Sequence, residues 1–340
     1  MMASESWFSA SVGGSAEVKN MYEKYPFPKW EHWRSYSDHF VRIVKEQIYA
    51  NKDLDGYKIL DAGCGTADKL LGFAESCPDA SFLGIDLTEG SLEIAKQKLL
   101  RSRMQNVELQ LANIMEFETS VKFDLIVSAG VIHHLPNPEQ GLRQLSKCMK
   151  DDAAMVVMLY GFYGEFNLLA QREIIIKLLE GDLSRLEAGA ELIQELGFTR
   201  QAGNYTNNFT NVWDQTTFNI DGYLHPIVNT YKFNGIASIL AKLGFEWWSP
   251  EVILCEKGRF SLELETVNTL AAFETISTET IFSKQPKVNA LFQKLPKKEK
   301  LNILELLYKP TGFYFVTGNN NTLKKLSRRT QANALILGPG

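Results

Sequence analysis

The chain has 340 residues, 45% of them apolar and 22% charged, enough to bury a sizeable core and typical of an ordinary globular protein. A formal net charge of −4 offers no global attraction to nucleic acid or to an anionic membrane, and no apolar run is long enough to span a bilayer. No basic region followed by an apolar stretch opens the chain, and Cys64, Cys77, Cys148 and Cys255 are far apart with no Cys-x-x-Cys spacing. A secretory leader, a zinc site and an iron–sulfur cluster are therefore not expected, and a cytoplasmic location is.

In chain order, residues 1–50 read as a Ser/Gly-rich start, then an aromatic arm and a helix. The arm runs from Met21 through Tyr22, Tyr25, Pro26, Phe27 and Pro28 to Trp30, with His32, Trp33 and Tyr36 behind it. Its two prolines predict an extended lid and not a helix. Ser37-Asp38 can cap a helix carrying Phe40, Ile43, Val44 and Ile48 at helical spacing. Strand and helix then alternate over 51–160. Strands are expected at Lys58–Leu60, Ser81–Ile85, Val107–Leu111, Phe123–Val127 and Ala153–Leu159, with helices capped by Thr88 and by Asn137 ahead of Pro138. Residues 161–232 break the alternation over a length too great for a connection, and are read as an inserted cap with a polar run through Asn204, Asn207, Asn208, Trp213, Asp214, Asp221 and His225. The pattern resumes over 233–318 with a helix, a strand at Phe245–Trp248, two more helices before 308 and a strand at Gly312–Thr317. Residues 319–340, with Lys324, Lys325, Arg328 and Arg329, read as a loosely held, solvated tail. The fold expected is α/β: a Rossmann-like doubly wound sheet of about seven strands, mostly parallel with the last antiparallel.

In such a sheet a ligand lies beyond the carboxyl ends of the strands. That rule picks out the turn Asp61-Ala62-Gly63-Cys64-Gly65-Thr66, then Asp86, Asn113 and the segment from Ser128 to Val131. A dinucleotide site would want a third glycine where Asp68 stands, and a carboxylate at Asp61 would crowd a pyrophosphate. A ligand carrying an ammonium and a sulfonium would be favoured by it. Asp86 lies about twenty residues after the turn, where a carboxylate can take both hydroxyls of a ribose.

With these residues in place the sequence resembles the class I S-adenosylmethionine-dependent methyltransferases. The resemblance rests on Ile59 to Thr66, Gly84-Ile85-Asp86, Ala112-Asn113, Phe123 to Ser128 and Val131-Ile132-His133-His134-Leu135, in the family's order and spacing. It implies S-adenosylmethionine as cofactor and S-adenosylhomocysteine as product. Gly63 and Gly65 would abut the methionine part, Asp61 would orient its amino group, Asp86 would take the ribose, Leu87 would pack on the adenine and Asn113 would bond its amino group. Cys64, Ile114 and Ser128 complete the expected cofactor set. A second resemblance, through Tyr22-x-x-Tyr25-Pro26-Phe27-Pro28 and Asp221-x-Tyr223-Leu224-His225-Pro226, is to a group of bacterial methyltransferases of mostly undefined substrate. It implies that the arm is a lid over the cofactor and the insert the acceptor pocket.

Methyl transfer from a sulfonium is an in-line displacement, so positioning and water exclusion supply much of the acceleration, and a base is needed only where the nucleophile must lose a proton. His133, His134, His225, Asp221, Tyr22 and Tyr25 are the candidates for that role. No metal site is expected, because adjacent histidines point in different directions. Ser128-Ala129-Gly130-Val131 departs from the Asn/Asp-Pro-Pro-aromatic signature of nucleic-acid amino methylation, and no nucleic-acid or membrane partner is expected. The function expected is methyl transfer to a small-molecule acceptor. The alternatives are a protein or peptide acceptor, and a non-catalytic cofactor-binding regulatory protein.

Overall fold

The structure, a computed structural model, describes residues 14–28, 33–198, 212–254 and 273–338. Trp30, His32, Asn204, Asn207, Asn208 and Cys255 lie outside the described residues, as do the side chains of Trp33, Tyr36, Trp213 and Asp214.

The alternating half folds as its apolar runs dictate. Strands β1 (Lys58–Ala62), β2 (Ser81–Asp86), β3 (Val107–Leu111), β4 (Phe123–Ala129) and β5 (Met149–Tyr160) lie side by side and parallel, in the order β3-β2-β1-β4-β5. Chain order reverses between β1 and β4, which opens a crevice above their carboxyl ends. The sheet continues antiparallel through β8 (Gly312–Gly318), which pairs with both β5 and β6 (Trp247–Leu254). Two short strands, β7 (Phe273–Thr275) and β9 (Leu335–Ile336), extend the far edge of β6. This is the expected doubly wound α/β sheet with its antiparallel closing strand.

Central strands are apolar on both sides because helices cover both faces. On one face Ile59, Leu71, Phe73 and Val127 share a core with Phe40, Ile43 and Val44; on the other Leu60, Ile126 and Val157 pack with Leu142, Phe233 and Trp248. Asn137 caps the helix Pro138–Lys147 as expected, its side chain accepting from the Gln140 N–H at 3.0 Å.

Three local expectations are corrected. Met21 to Lys24 are helical, within Ser15–Lys24, because the prolines act only after Tyr25. Ser37 does not cap a helix: it is buried inside the helix Trp33–Arg42, where a Cβ on Gly72 would fall 2.2 Å from its hydroxyl oxygen. Two small residues let that helix approach Asp68–Ser76 closely. Residues beyond 319 are no loose tail. Asn319 caps Asn320–Leu323, Ser327 caps Arg328–Asn333, and β9 joins the sheet. Arg329 donates to the fully buried Glu251 at 2.9 Å and Lys325 pairs with Asp152, so this basic cluster is partly spent inside the protein.

The segment between β5 and β6 forms the helices Phe166–Leu178, Leu186–Glu195 and Val212–Asn219 and the π-helical turn Ile220–Leu224, which pack on one another. Its apolar faces, including Ile175, Leu179, Ile193 and Leu224, pack on Met21 and Tyr25 of the N-terminal helix.

The helix Phe233–Lys242 starts under the Glu305 carboxylate, which accepts from the Phe233 N–H at 2.8 Å. Burial lifts the Glu305 carboxyl to about 7 although that N–H and Lys232 oppose the rise. A folded-state pKa above the unfolded value means that the folded chain holds the extra proton between pH 4.5 and 7, so this group's contribution to stability declines as pH climbs through that window. Glu305→Gln keeps an oxygen for the Phe233 N–H and removes the charge. Urea melts should show it more stable than the parent by about 2 kcal/mol at pH 8 and nearly equal at pH 4. A difference that does not change with pH would mean that Glu305 ionises in the fold without cost.

Candidate functional site

The chain leaves β1 through Gly63 at φ +84°, Gly65 at φ +55° and Ala67 at φ +66°. The N–H groups of Gly63 and Cys64 both donate to the Ile85 carbonyl, at 2.8 and 2.9 Å, which ties the turn to β2. A Cβ on Gly63 would lie 2.5 Å from a Val131 methyl, and one on Gly65 would lie 2.4 Å from the Phe27 carbonyl oxygen. Only glycine fits either position. The Thr66 hydroxyl donates to the Pro28 carbonyl, so the N-terminal arm lies against the turn. Asp68 is buried and paired with Lys98, which also reaches the Thr66 carbonyl at 3.1 Å.

Asp86 ends β2 and accepts from the Gly65 N–H at 2.8 Å, the Thr88 N–H at 3.0 Å and the Thr88 hydroxyl at 2.8 Å. Thr88 therefore does not cap the helix Glu89–Ser102 with its side chain. Glu23 does: its two carboxylate oxygens accept from the Glu89 and Gly90 N–H groups at 3.0 and 2.9 Å. A carboxylate at a helix N-terminus satisfies orphan donors and meets the positive end of the dipole. Nothing in the sequence near residue 89 marks this partner.

Asp61 is 7% exposed, and burial pushes its carboxyl up to about 6, with Lys69 opposing and Asp86 adding to the rise. Leu87 is half-buried beside Asp86. Asn113 is half-buried and its amide oxygen accepts from the Met115 N–H at 3.1 Å, leaving one lone pair. Cys64 is buried against the core, where burial raises its thiol pKa, and Ile114 is packed with Leu60, Ala62 and Ile85. Ser128 departs from its expected role: its side chain is fully buried and its hydroxyl donates to the Ala62 carbonyl at 2.9 Å, tying β4 to β1.

The candidate acid–base residues gather beside this crevice, with one exception. After β4 the 3-10 turn Ile132–His134 buries both histidines, and His133 stacks on Tyr160 with ring centroids 3.7 Å apart. His134 stacks on His225 at 3.7 Å, and Tyr22 meets His225 edge-on at 5.6 Å. The Tyr22 hydroxyl donates to Asp221 at 2.7 Å. Burial raises the Tyr22 pKa, and Asp221, Tyr160 and Asp86 add to the rise. Tyr25 is the exception: it points into the insert, 3.3 Å from Glu187, and packs with Leu186 and Ile193. Tyr160 and Ile227 were not expected at the site. Both lie outside any motif.

Residues 53–197 match a family model described as a methyltransferase domain. Residues 53–197 thus carry a methyltransferase domain. The chain is 35% identical over 114 residues to an uncharacterized protein of Rickettsia prowazekii, covering 33% of this chain and 46% of that one. It is 31% identical over 103 residues to (S)-coclaurine N-methyltransferase of Papaver somniferum, covering 30% and 29%. The chain thus spans less than half the length of these relatives. Among solved structures, PKMT2 from Rickettsia typhi in complex with AdoHcy superposes with a TM-score of 0.55 at 18% identity, over 90% of this chain and 56% of that one. That likeness is of fold. No helix among the described residues is long and apolar enough to cross a membrane.

The methyltransferase domain's donor group fits the residues present. Beside the turn whose glycines give way to Val131 and the Phe27 carbonyl, the buried Asp61 carboxylate, at about 6, is a site for an ammonium.

Proposed function

We propose that this protein moves the methyl group of S-adenosylmethionine to a small-molecule acceptor. Residues 51–160 and 233–318 form the donor-binding core in this reading, and residues 161–232 with the N-terminal helix enclose the acceptor. The observation that carries the acceptor half is enclosure: His134, Asp221 and His225 are each 5% exposed or less, at the seam between core and insert. Such burial suits a ligand taken in whole better than a peptide laid across a surface.

The donor supplies an electrophilic methyl on a sulfonium. Asp61 would hold its amino group, Asp86 would accept from its ribose hydroxyls in exchange for one of its present donors, and Leu87 and Asn113 would border the adenine. The chain positions the methyl and excludes water, with Tyr22, Phe27 and Pro28 closing the crevice from the arm.

A thermal-shift series tests the donor half. Saturating S-adenosylmethionine or S-adenosylhomocysteine should stabilise the protein by about 2.7 kcal/mol at 100 times Kd. Stabilisation by NAD alone would sink the reading. Mass spectrometry of cell extract supplied with labelled donor then distinguishes the acceptors: a labelled metabolite supports the small-molecule reading, and label confined to protein supports the alternative.

Asp61 gives this binding a pH dependence. Its pKa of about 6 in the free protein must fall when an ammonium docks beside it, so the ligand favours the ionised carboxylate. S-adenosylhomocysteine carries the same amino group, and its affinity should drop up to about tenfold per pH unit below pH 6 and level off above it. Calorimetry between pH 5 and 8 reads this directly. Asp61→Asn should bind more weakly at pH 8 with a flat profile, and a flat profile in the parent would remove Asp61 from the amino-group contact.

A further inference from the structure

A cation buried in the insert pairs with no carboxylate among the described residues. Arg172, on the helix Phe166–Leu178, is 5% exposed, and its guanidinium donates to the Tyr223 carbonyl at 3.0 Å and to the Pro226 carbonyl at 3.5 Å. The adjacent Glu173 pairs with Lys177 at 3.0 Å, and Asp221 accepts from the Tyr22 hydroxyl. Burial lowers the Arg172 pKa to about 10 with Glu173 opposing, which leaves the group charged at neutral pH. A guanidinium has five N–H donors, and two carbonyls answer two of them without answering the charge. A charge taken out of water in this way is costly until an anion meets it.

The carbonyls that Arg172 holds flank Leu224 and His225. His225 is fully buried, and its Nδ1 accepts from the Ile227 N–H at 3.0 Å, so the proton of the neutral ring is on Nε2. That Nε2–H has no hydrogen-bond partner among the described residues. Burial keeps His225 neutral, and His134, Arg172 and His133 push its pKa down further. One short stretch thus brings together an uncompensated cation and an unspent N–H. His225 stacks on His134 at 3.7 Å, and His134 belongs to the turn after β4, so the pair lies one ring from the crevice.

We propose that Arg172 and His225 bind a carboxylate of the acceptor, which makes the substrate a small organic acid, a reading that rests on the small-molecule methyl transfer above. A carboxylate has two oxygens and about four lone-pair sites, so it can accept from the guanidinium and from the His225 Nε2–H at once. A neutral group in its place leaves Arg172 uncompensated, and a cation is repelled. With both oxygens engaged the carboxylate is an anchor and not the nucleophile. The methylated atom lies elsewhere in the acceptor, toward the donor.

Calorimetry of the full chain with S-adenosylhomocysteine comes first, so that failure of the donor reading is seen on its own. Cell extract is then supplied with the protein and labelled S-adenosylmethionine, and labelled metabolites are weighed by mass spectrometry before and after esterification in acidic ethanol. The expected product gains an ethyl group, as a carboxyl group does. A labelled metabolite whose mass does not move overturns the carboxylate. Label confined to protein, or no label transferred, overturns the small-molecule reading and this proposal with it. In the S-adenosylhomocysteine complex, acetate should shift the His225 Nε2–H proton resonance more than chloride does at equal ionic strength. An equal response to the two salts overturns the proposal. Arg172→Gln keeps an N–H for the Tyr223 carbonyl and should leave the affinity for S-adenosylhomocysteine unchanged. It should raise KM for the acid acceptor about tenfold or more while changing that for its methylamide little, and Arg172→Lys, which keeps the charge, should retain more of the preference for the acid. Equal losses on acid and amide would mean that Arg172 only holds the turn, which also overturns the proposal.

Discussion

Asp86→Ala is expected to weaken S-adenosylhomocysteine binding by about 100-fold, because two ribose hydrogen bonds to a charged acceptor are lost, at about 1.5 kcal/mol each. The same change acts without ligand. The Gly65 N–H, the Thr88 N–H and the Thr88 hydroxyl all end on this carboxylate. Their loss leaves part-buried donors without a protein acceptor and should cost the free protein about 1–3 kcal/mol. Asp86→Asn separates the two effects. It keeps one acceptor oxygen for the turn but cannot take both hydroxyls, so its stability should lie closer to the parent than its affinity does. Calorimetry and urea melts on the three proteins measure both. An alanine variant that binds like the parent would remove Asp86 from the ribose site, whatever its stability.

Gly65→Ala is expected to be the more damaging change to the assembled site. A left-handed φ of +55° costs a non-glycine residue about 1–2 kcal/mol, and the new methyl would meet a backbone oxygen at 2.4 Å, which no rotamer change relieves. The Phe27–Pro28 segment must then lift from the turn, breaking the Thr66 bond to the Pro28 carbonyl. The variant should lose about 2–4 kcal/mol of stability, show faster proteolytic cleavage near residues 25–28 and bind S-adenosylhomocysteine at least tenfold more weakly. Gly130→Ala is the control. Its φ of +85° carries similar backbone strain, but a Cβ there meets nothing within 4 Å. Equal losses of stability, affinity and protease resistance in the two variants would mean that backbone strain alone, and not contact with the arm, decides the outcome at Gly65.

Glu23 links these two results. It reaches from the N-terminal helix to the start of Glu89–Ser102, next to Asp86, while Tyr22 on the same helix reaches Asp221 and Phe27 contacts Phe218 in the insert. The N-terminal helix is therefore joined to both the donor half and the insert. Damage at Gly65 is felt on both sides.

The sequence by itself determined the parallel half of the sheet and the turns that close its strands. The central strands carry continuous apolar runs closed by small or polar residues, and burial on both faces permits little else, whereas the edge strand β3 alternates apolar and polar residues and leaves Glu108, Gln110 and Leu111 exposed. Gly63, Gly65 and Asp86 were legible for a related reason, since a left-handed turn and a strand-end carboxylate are local requirements that a short stretch expresses. Tertiary structure decided what depends on a distant partner. Ser128 and Tyr25 carry suitable groups, but one is spent on Ala62 and the other is turned toward Glu187. The final twenty residues are polar enough to read as solvated, yet Glu251 buried in β6 gives Arg329 a partner and β6 gives Leu335–Ile336 an edge to pair with. The sharpest case is the histidine pair. Which nitrogen of His134 or His225 carries the proton is set by the main chain of Ile227, and a peptide N–H and carbonyl are the same in every residue of the sequence except for the N–H that proline lacks. Only the fold, which sets His134 Nδ1 on the Ile227 carbonyl and His225 Nδ1 on the Ile227 N–H, decides this.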